Sequence, residues 1–151
     1  AALSSMKHQA RYLELQDQAD ELDRHITALE LLQGYGISKS IGFVQDCRKD
    51  AEICYSTIRS MCRYQVRQEA RNQSAFRRLQ KDLFGSRDAG EEFDGLVALA
   101  FDFLDVERCR LIFMESLLDA NMFSLAYEVM QNSISSISSP SGQLVSGYVS
   151  L

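Results

Sequence analysis

Apolar residues recur at spacings of three and four along nearly all of residues 3–131. This spacing places them on one face of an α-helix, where they can pack against a neighbouring helix. One proline and eight glycines in 151 residues leave few turns of the kind that connect strands. The pattern therefore predicts an all-α fold of about six helices in antiparallel hairpins, either a helical bundle or an α-solenoid-like piece of a longer rod.

A single helical domain is predicted over residues 1–132, followed by a serine-rich, loosely ordered tail over 133–151. Glycines, polar clusters and capping residues mark the helix ends. The predicted helices cover residues 3–33, 38–46, 48–71, 74–84, 91–104, 106–119 and 121–132.

The large apolar side chains of the last three of these helices are predicted to form the core, because each lies on the more apolar face of its helix. They are Phe93, Val97, Phe101, Cys109, Ile112, Phe113, Leu117, Leu125 and Val129.

The first helix has a narrow apolar seam and is polar around most of its remaining surface. A seam this narrow is typical of a helix that pairs with one other helix. We therefore expect it to contact other protein subunits or, as an alternative, a second copy of the chain in a coiled coil or bundle. The seam consists of Tyr12, Leu15, Ala19, Leu22, Ile26 and Leu29.

The net charge of −5 is unevenly distributed, because residues 59–81 carry seven basic side chains and only one acidic side chain, Glu69. Like charges four residues apart on a helix repel, so a negative surface is expected nearby. It could be the acidic segment 82–151 of the chain itself, or an acidic protein or lipid partner, whereas the pI of about 5.0 disfavours nucleic acid. The candidate partner-binding residues are Arg59, Arg63, Arg67, Arg71, Arg77, Arg78 and Lys81.

No motif for catalysis, a cofactor or a metal stands out. The histidines, His8 and His25, both lie on the first helix, and the four cysteines are not spaced as zinc ligands usually are. We therefore predict no enzyme activity, no cofactor and no metal. With no visible secretory signal and no apolar run of membrane-spanning length, we expect a cytoplasmic protein with reduced cysteines.

Four segments are notable for their order along the chain: Leu-Leu-Gln-Gly-Tyr-Gly-Ile (31–37), Phe-Val-Gln-Asp-Cys (43–47), Ile-Arg-Ser-Met-Cys-Arg (58–63) and Phe-Met-Glu-Ser-Leu-Leu-Asp-Ala-Asn-Met-Phe-Ser-Leu-Ala (113–126). Together these segments resemble the large helical tether subunits of the neuroblastoma-amplified-sequence and secretory-tether type. Those subunits are elongated α-solenoid rods in a complex at the endoplasmic reticulum that receives retrograde vesicles from the Golgi. The resemblance implies a non-catalytic scaffold in vesicle tethering and protein transport, located peripherally at either organelle, and carries over no functional residue.

Overall fold

The computed structural model describes residues 2–68, 72–88 and 90–138. Within these ranges the chain forms seven α-helices and one small hairpin, which confirms the all-α prediction. The elements are α1 (Ala2–Gln33), α2 (Ile41–Asp46), a 3-10 turn (Cys47–Lys49), α3 (Ala51–Arg67), α4 (Gln73–Phe84), β1 (Ser86–Asp88), β2 (Glu91–Phe93), α5 (Leu96–Ala100), α6 (Val106–Asp119) and α7 (Phe123–Ser138).

Four helices begin at side-chain caps of the kind the sequence suggests. The side-chain oxygens of Ser40, Asp50, Asn72 and Asp105 accept hydrogen bonds from backbone N–H groups in the first turns of α2, α3, α4 and α6. These bonds satisfy donors that have no partner within the helix.

Two helices end in a residue with left-handed backbone conformation. After α1, Gly36 has φ +73°, and the N–H of Ile37 donates to the carbonyl of Leu32. After α6, Asn121 has φ +61°, and the N–H of Met122 donates to the carbonyl of Leu117. This pattern closes a helix and reverses the chain over few residues, so α7 starts close to the end of α6.

The core lies between α3 and α6, which pack together more extensively than any other pair of elements. Around them, α4 packs on α3, α7 on α6, and the C-terminal end of α1 on α5. Eight of the nine predicted core residues are buried. The exception is Phe93, whose side chain is 37% exposed.

The predicted helix over 91–104 is wrong. Residues Glu91–Phe93 form β2, which pairs antiparallel with β1 and places Phe93 opposite Ser86 at the open end of the hairpin. The chain then passes so close to itself that a Cβ on Gly95 would lie 2.5 Å from the carbonyl oxygen of Leu83. Gly95 is the N-cap of the short helix α5, which ends at Ala100. The apolar residues between 93 and 104 therefore lie on a strand, on a short helix and in the connection that follows it, and do not share one helix.

Other boundaries also differ from the prediction. Helix α2 begins at Ile41 instead of residue 38, and the residues expected to open α3 form the 3-10 turn Cys47–Lys49. The described part of α3 ends at Arg67. Helix α7 continues to Ser138, so the first part of the predicted tail is helical, whereas residues 139–151 lie outside the described ranges.

Across residues 2–68, 72–88 and 90–138, every helix is either too short or too polar to cross a lipid bilayer.

Candidate functional site

Three of the seven predicted basic residues lie together on one groove between α3 and α6. Arg59, Arg63 and Arg67 form one wall of this groove, which has a volume of about 150 Å³. We call it the arginine groove. Glu115 and Asp119 of α6 also line it.

The arginine groove combines both signs of charge. Within the described ranges, neither Arg63 nor Arg67 approaches a carboxylate to ion-pair distance, although Glu115 and Asp119 line the same groove. Sequence reasoning missed the two facing carboxylates, although Glu115 and Asp119 are four residues apart and therefore share a helix face. That spacing matches the spacing of the arginines.

The remaining predicted basic residues do not join this groove. Arg77 of α4 forms an ion pair with Glu128 of α7, with 2.7 Å between Nη2 and Oε2. Arg78 and Lys81 line a separate hollow of about 580 Å³. Arg71 lies outside the described residues. The structure therefore divides the predicted basic surface between two helices.

A partly buried hydrogen bond holds the end of α1 against α4. The hydroxyl of Tyr35 donates to Oδ2 of Asp82 at 2.6 Å, and the ring of Tyr64 packs edge-on against the Tyr35 ring. Burial, reinforced by the neighbouring Asp82 carboxylate, raises the pKa of Tyr35 above its ordinary value. The phenol therefore stays protonated and keeps donating, which ties the base of α1 to the rest of the fold.

The four cysteines are buried in the core. Burial raises the pKa of Cys47 and Cys62 to about 12 and that of Cys109 to about 11. Thiols with raised pKa values are poor nucleophiles and poor metal ligands. In the described part of the chain, no three potential ligand side chains come close enough together to hold a metal ion.

Helix α1 projects from the rest of the fold. Every residue from 2 to 24 is exposed, and burial begins only near Ala28 and Leu32, which pack into the core. We call residues 2–24 the arm and residues 25–138, as far as they are described, the body. At 1.5 Å per residue the arm is about 35 Å long.

The predicted seam of α1 is largely exposed along the arm. Its exposed fraction is 67% for Tyr12, 49% for Leu15, 43% for Leu22 and 41% for Ile26. Only Leu29, at the base, is partly buried against the core. The seam residues of the arm are therefore exposed, as are Leu3, Met6 and Leu13, which lie on other sides of α1. Leu22 of the seam also lines a cavity together with Val44 and Leu99 of the body.

A second exposed apolar surface lies on the body. Phe123, Tyr127 and Met130 of α7 are 60%, 64% and 48% exposed and follow the spacing of one helix face. Leu111 and Leu118 on α6 are also exposed. The sequence analysis did not predict this surface.

No protein-family model matches this chain, and no solved structure matches it.

Proposed function

We propose that this chain is a non-catalytic helical scaffold that binds other proteins, and that the arm is its main docking element. The observation that supports this proposal is a long helix anchored at one end, with an apolar seam exposed along the projecting part. Helices with apolar residues at spacings of three and four bind partners by burying that stripe in a groove or against another helix.

Physical chemistry gives a reason for the seam to be occupied. A helix without tertiary contacts is only marginally stable in water, since propagation barely offsets the cost of ordering the backbone. Each exposed leucine also forgoes roughly 25 cal/mol for every Å² of apolar surface that could be removed from water. A partner helix on the seam would give the arm tertiary contacts and would also remove its exposed apolar surface from water.

Site-specific photo-crosslinking tests this proposal. A photoreactive residue at Leu15 lies on the seam, whereas the same residue at Leu13 lies on the opposite side of the helix although Leu13 is also exposed, at 62%. In cells that express the chain, we expect protein adducts from position 15 and few from position 13. Equal yields at both positions, or none at position 15, would contradict the proposal.

We further propose that the scaffold acts in vesicle tethering as a cytoplasmic protein at the endoplasmic reticulum or Golgi. This step is supported by the resemblance of four sequence segments to helical tether subunits. A fluorescent fusion should then concentrate at one of these organelles, and Leu15→Asp should reduce that enrichment more than Leu13→Asp. A uniform distribution of the wild-type fusion would contradict the tethering proposal and leave the docking proposal open to the crosslinking test.

A further inference from the structure

Charge is unequally distributed along the arm. Before Glu14 the arm carries Lys7 and Arg11 and no carboxylate. From residue 14 to residue 23 it carries five carboxylates and no basic side chain. The tip of the arm is therefore positive, and its middle is strongly negative.

We propose that the arm pairs with the arm of a second copy of this chain, in an antiparallel arrangement along the seam. This inference rests on the docking function proposed above and names the partner. A symmetric dimer of this kind uses the same surface on both chains. Antiparallel pairing brings the positive tip of each arm beside the negative middle of the other, whereas parallel pairing would place the five carboxylates of one copy beside those of its neighbour.

One register satisfies the charges and the centre of the seam, while Ala19 and Leu22 farther along the seam lie level with His8 and Ser5 of the other copy. If the two-fold axis passes between Leu13 and Glu14, Tyr12 of one copy lies level with Leu15 of the other, so these side chains form the centre of the contact. Lys7 then lies level with Asp20 of the second copy. In this register the full length of both arms overlaps, about 35 Å of helix.

The body leaves the seam accessible. At 100° per residue, the seam is centred about 120° around α1 from the side formed by Ala28 and Leu32, which faces the body. Ile26 remains 41% exposed even where α1 meets the body, and Leu22, although it lines a cavity with Val44 and Leu99 of the body, remains 43% exposed. A second helix can therefore run beside the arm without displacing the core.

Sedimentation of the whole 151-residue chain over a range of concentrations tests the pairing. We expect a monomer–dimer equilibrium in the micromolar range. Leu15→Asp should raise the dimer dissociation constant by at least about tenfold, because it places a carboxylate at the centre of the contact. Leu13→Asp, the same change on the opposite side of the helix, should alter it by less than about threefold. A wild-type monomer at all concentrations, or equal effects of the two variants, would overturn the inference.

The orientation has its own test. Lys7→Glu combined with Arg11→Glu makes the tip negative, so an antiparallel dimer should weaken by about tenfold or more. A parallel dimer would respond little, because two positive tips would simply become two negative tips. The wild-type dimer should also weaken as salt shortens the screening length from about 10 Å at 0.1 M to about 3 Å at 1 M. An unchanged dissociation constant in the double variant would overturn the antiparallel arrangement.

The two proposals fail in different ways. If position 15 crosslinks only to a different protein and the chain sediments as a monomer, the second copy is excluded and the docking function stands. If position 15 yields no protein adduct, both proposals fail. Adducts between two copies of the chain, together with the sedimentation result above, support both.

Discussion

The arm and the body are built from the same sequence pattern and end in opposite environments. On α3, apolar residues at spacings of three and four are buried, with Ile58 and Met61 at 0% exposure. On the arm, the same spacing leaves Tyr12 67% exposed and Leu15 49% exposed. Periodicity therefore identifies which side of a helix is apolar, but it does not indicate whether the chain itself provides the surface that covers it.

The polar contacts differ in the same way. Within the arm, the hydrogen-bonded side-chain pairs join residues three or four apart, such as Arg11 with Glu14. In the body, contacts join distant parts of the chain: the guanidinium of Arg108 makes two hydrogen bonds to the carboxylate of Glu52 and lies over the ring of Tyr55. The Tyr55 hydroxyl in turn accepts from the backbone N–H of Asp105. The polar contacts of the body thus join distant segments, whereas the hydrogen-bonded side-chain pairs of the arm stay within its own turns.

The sharpest test of this contrast compares large-to-small substitutions in the two regions. Phe101 is fully buried, so Phe101→Ala should lower the free energy of unfolding by roughly 3–5 kcal/mol through lost burial and the cavity left behind. Leu13→Ala in the arm should change it by less than about 0.5 kcal/mol. Urea denaturation at low protein concentration measures both losses. Similar losses for the two variants would mean that the arm belongs to the cooperative core.

Local signals in the sequence identified where several helices begin or turn, because caps act over three or four residues, although the bounds of α2, α3 and α7 differ from the predicted ones by several residues. Asp105 and Asn121 could be assigned from residue type alone, since a carboxylate suits an N-cap and asparagine tolerates left-handed backbone. The hairpin within residues 86–95 could not be assigned from residue type. It depends on a contact between two separate segments, because Gly95 passes close to the end of α4. Phe93 was consequently misplaced in the core, while Phe101 was placed correctly although its predicted helix was wrong.

The candidate site was predictable to a similar extent. The spacing of Arg59, Arg63 and Arg67 predicted one surface, and the structure places all three on the arginine groove. The groove's carboxylates come from α6, and only the packing of α3 on α6 brings them there. Arg77 and Arg78 follow in sequence but lie on α4, a separate helix, so sequence proximity overstated the size of the basic surface.

Alkaline pH should weaken the body in particular, because the body holds all four buried thiols. Burial raises the pKa of Cys47, Cys62 and Cys109 from 9.0 to between about 11 and 12, so these groups ionise more readily in the unfolded chain. Their stabilising contribution is complete below about pH 9 and is lost as pH rises toward the folded-state values. Each such group should lower the free energy of unfolding by up to about 1.4 kcal/mol per pH unit.

Urea midpoints measured at several pH values above neutrality would show this decline. Tyr35, whose pKa is also raised, should add to it only above about pH 10. Cys62→Ala provides the control, since removing one buried thiol should remove that thiol's share of the decline in the urea midpoint. A midpoint that stays constant between about pH 9 and pH 11 would contradict the burial of the thiols.

The smallest expected effect concerns the arginine groove, which is a charged surface on the body. Arg63→Glu combined with Arg67→Glu should change the free energy of unfolding by about 1 kcal/mol or less, because exposed charges are screened by water and salt. If Glu115 and Asp119 are the negative surface that the arginines require, reversing them to lysine in the same chain should restore the lost stability. This four-residue swap forms a double-mutant cycle, and a coupling between the two pairs would assign the groove an internal, structural role. No coupling, together with unchanged stability and weaker capture of an acidic protein or anionic vesicles, would instead assign Arg63 and Arg67 to a partner. The body would then carry a docking surface of its own, in addition to the one that we propose for the arm.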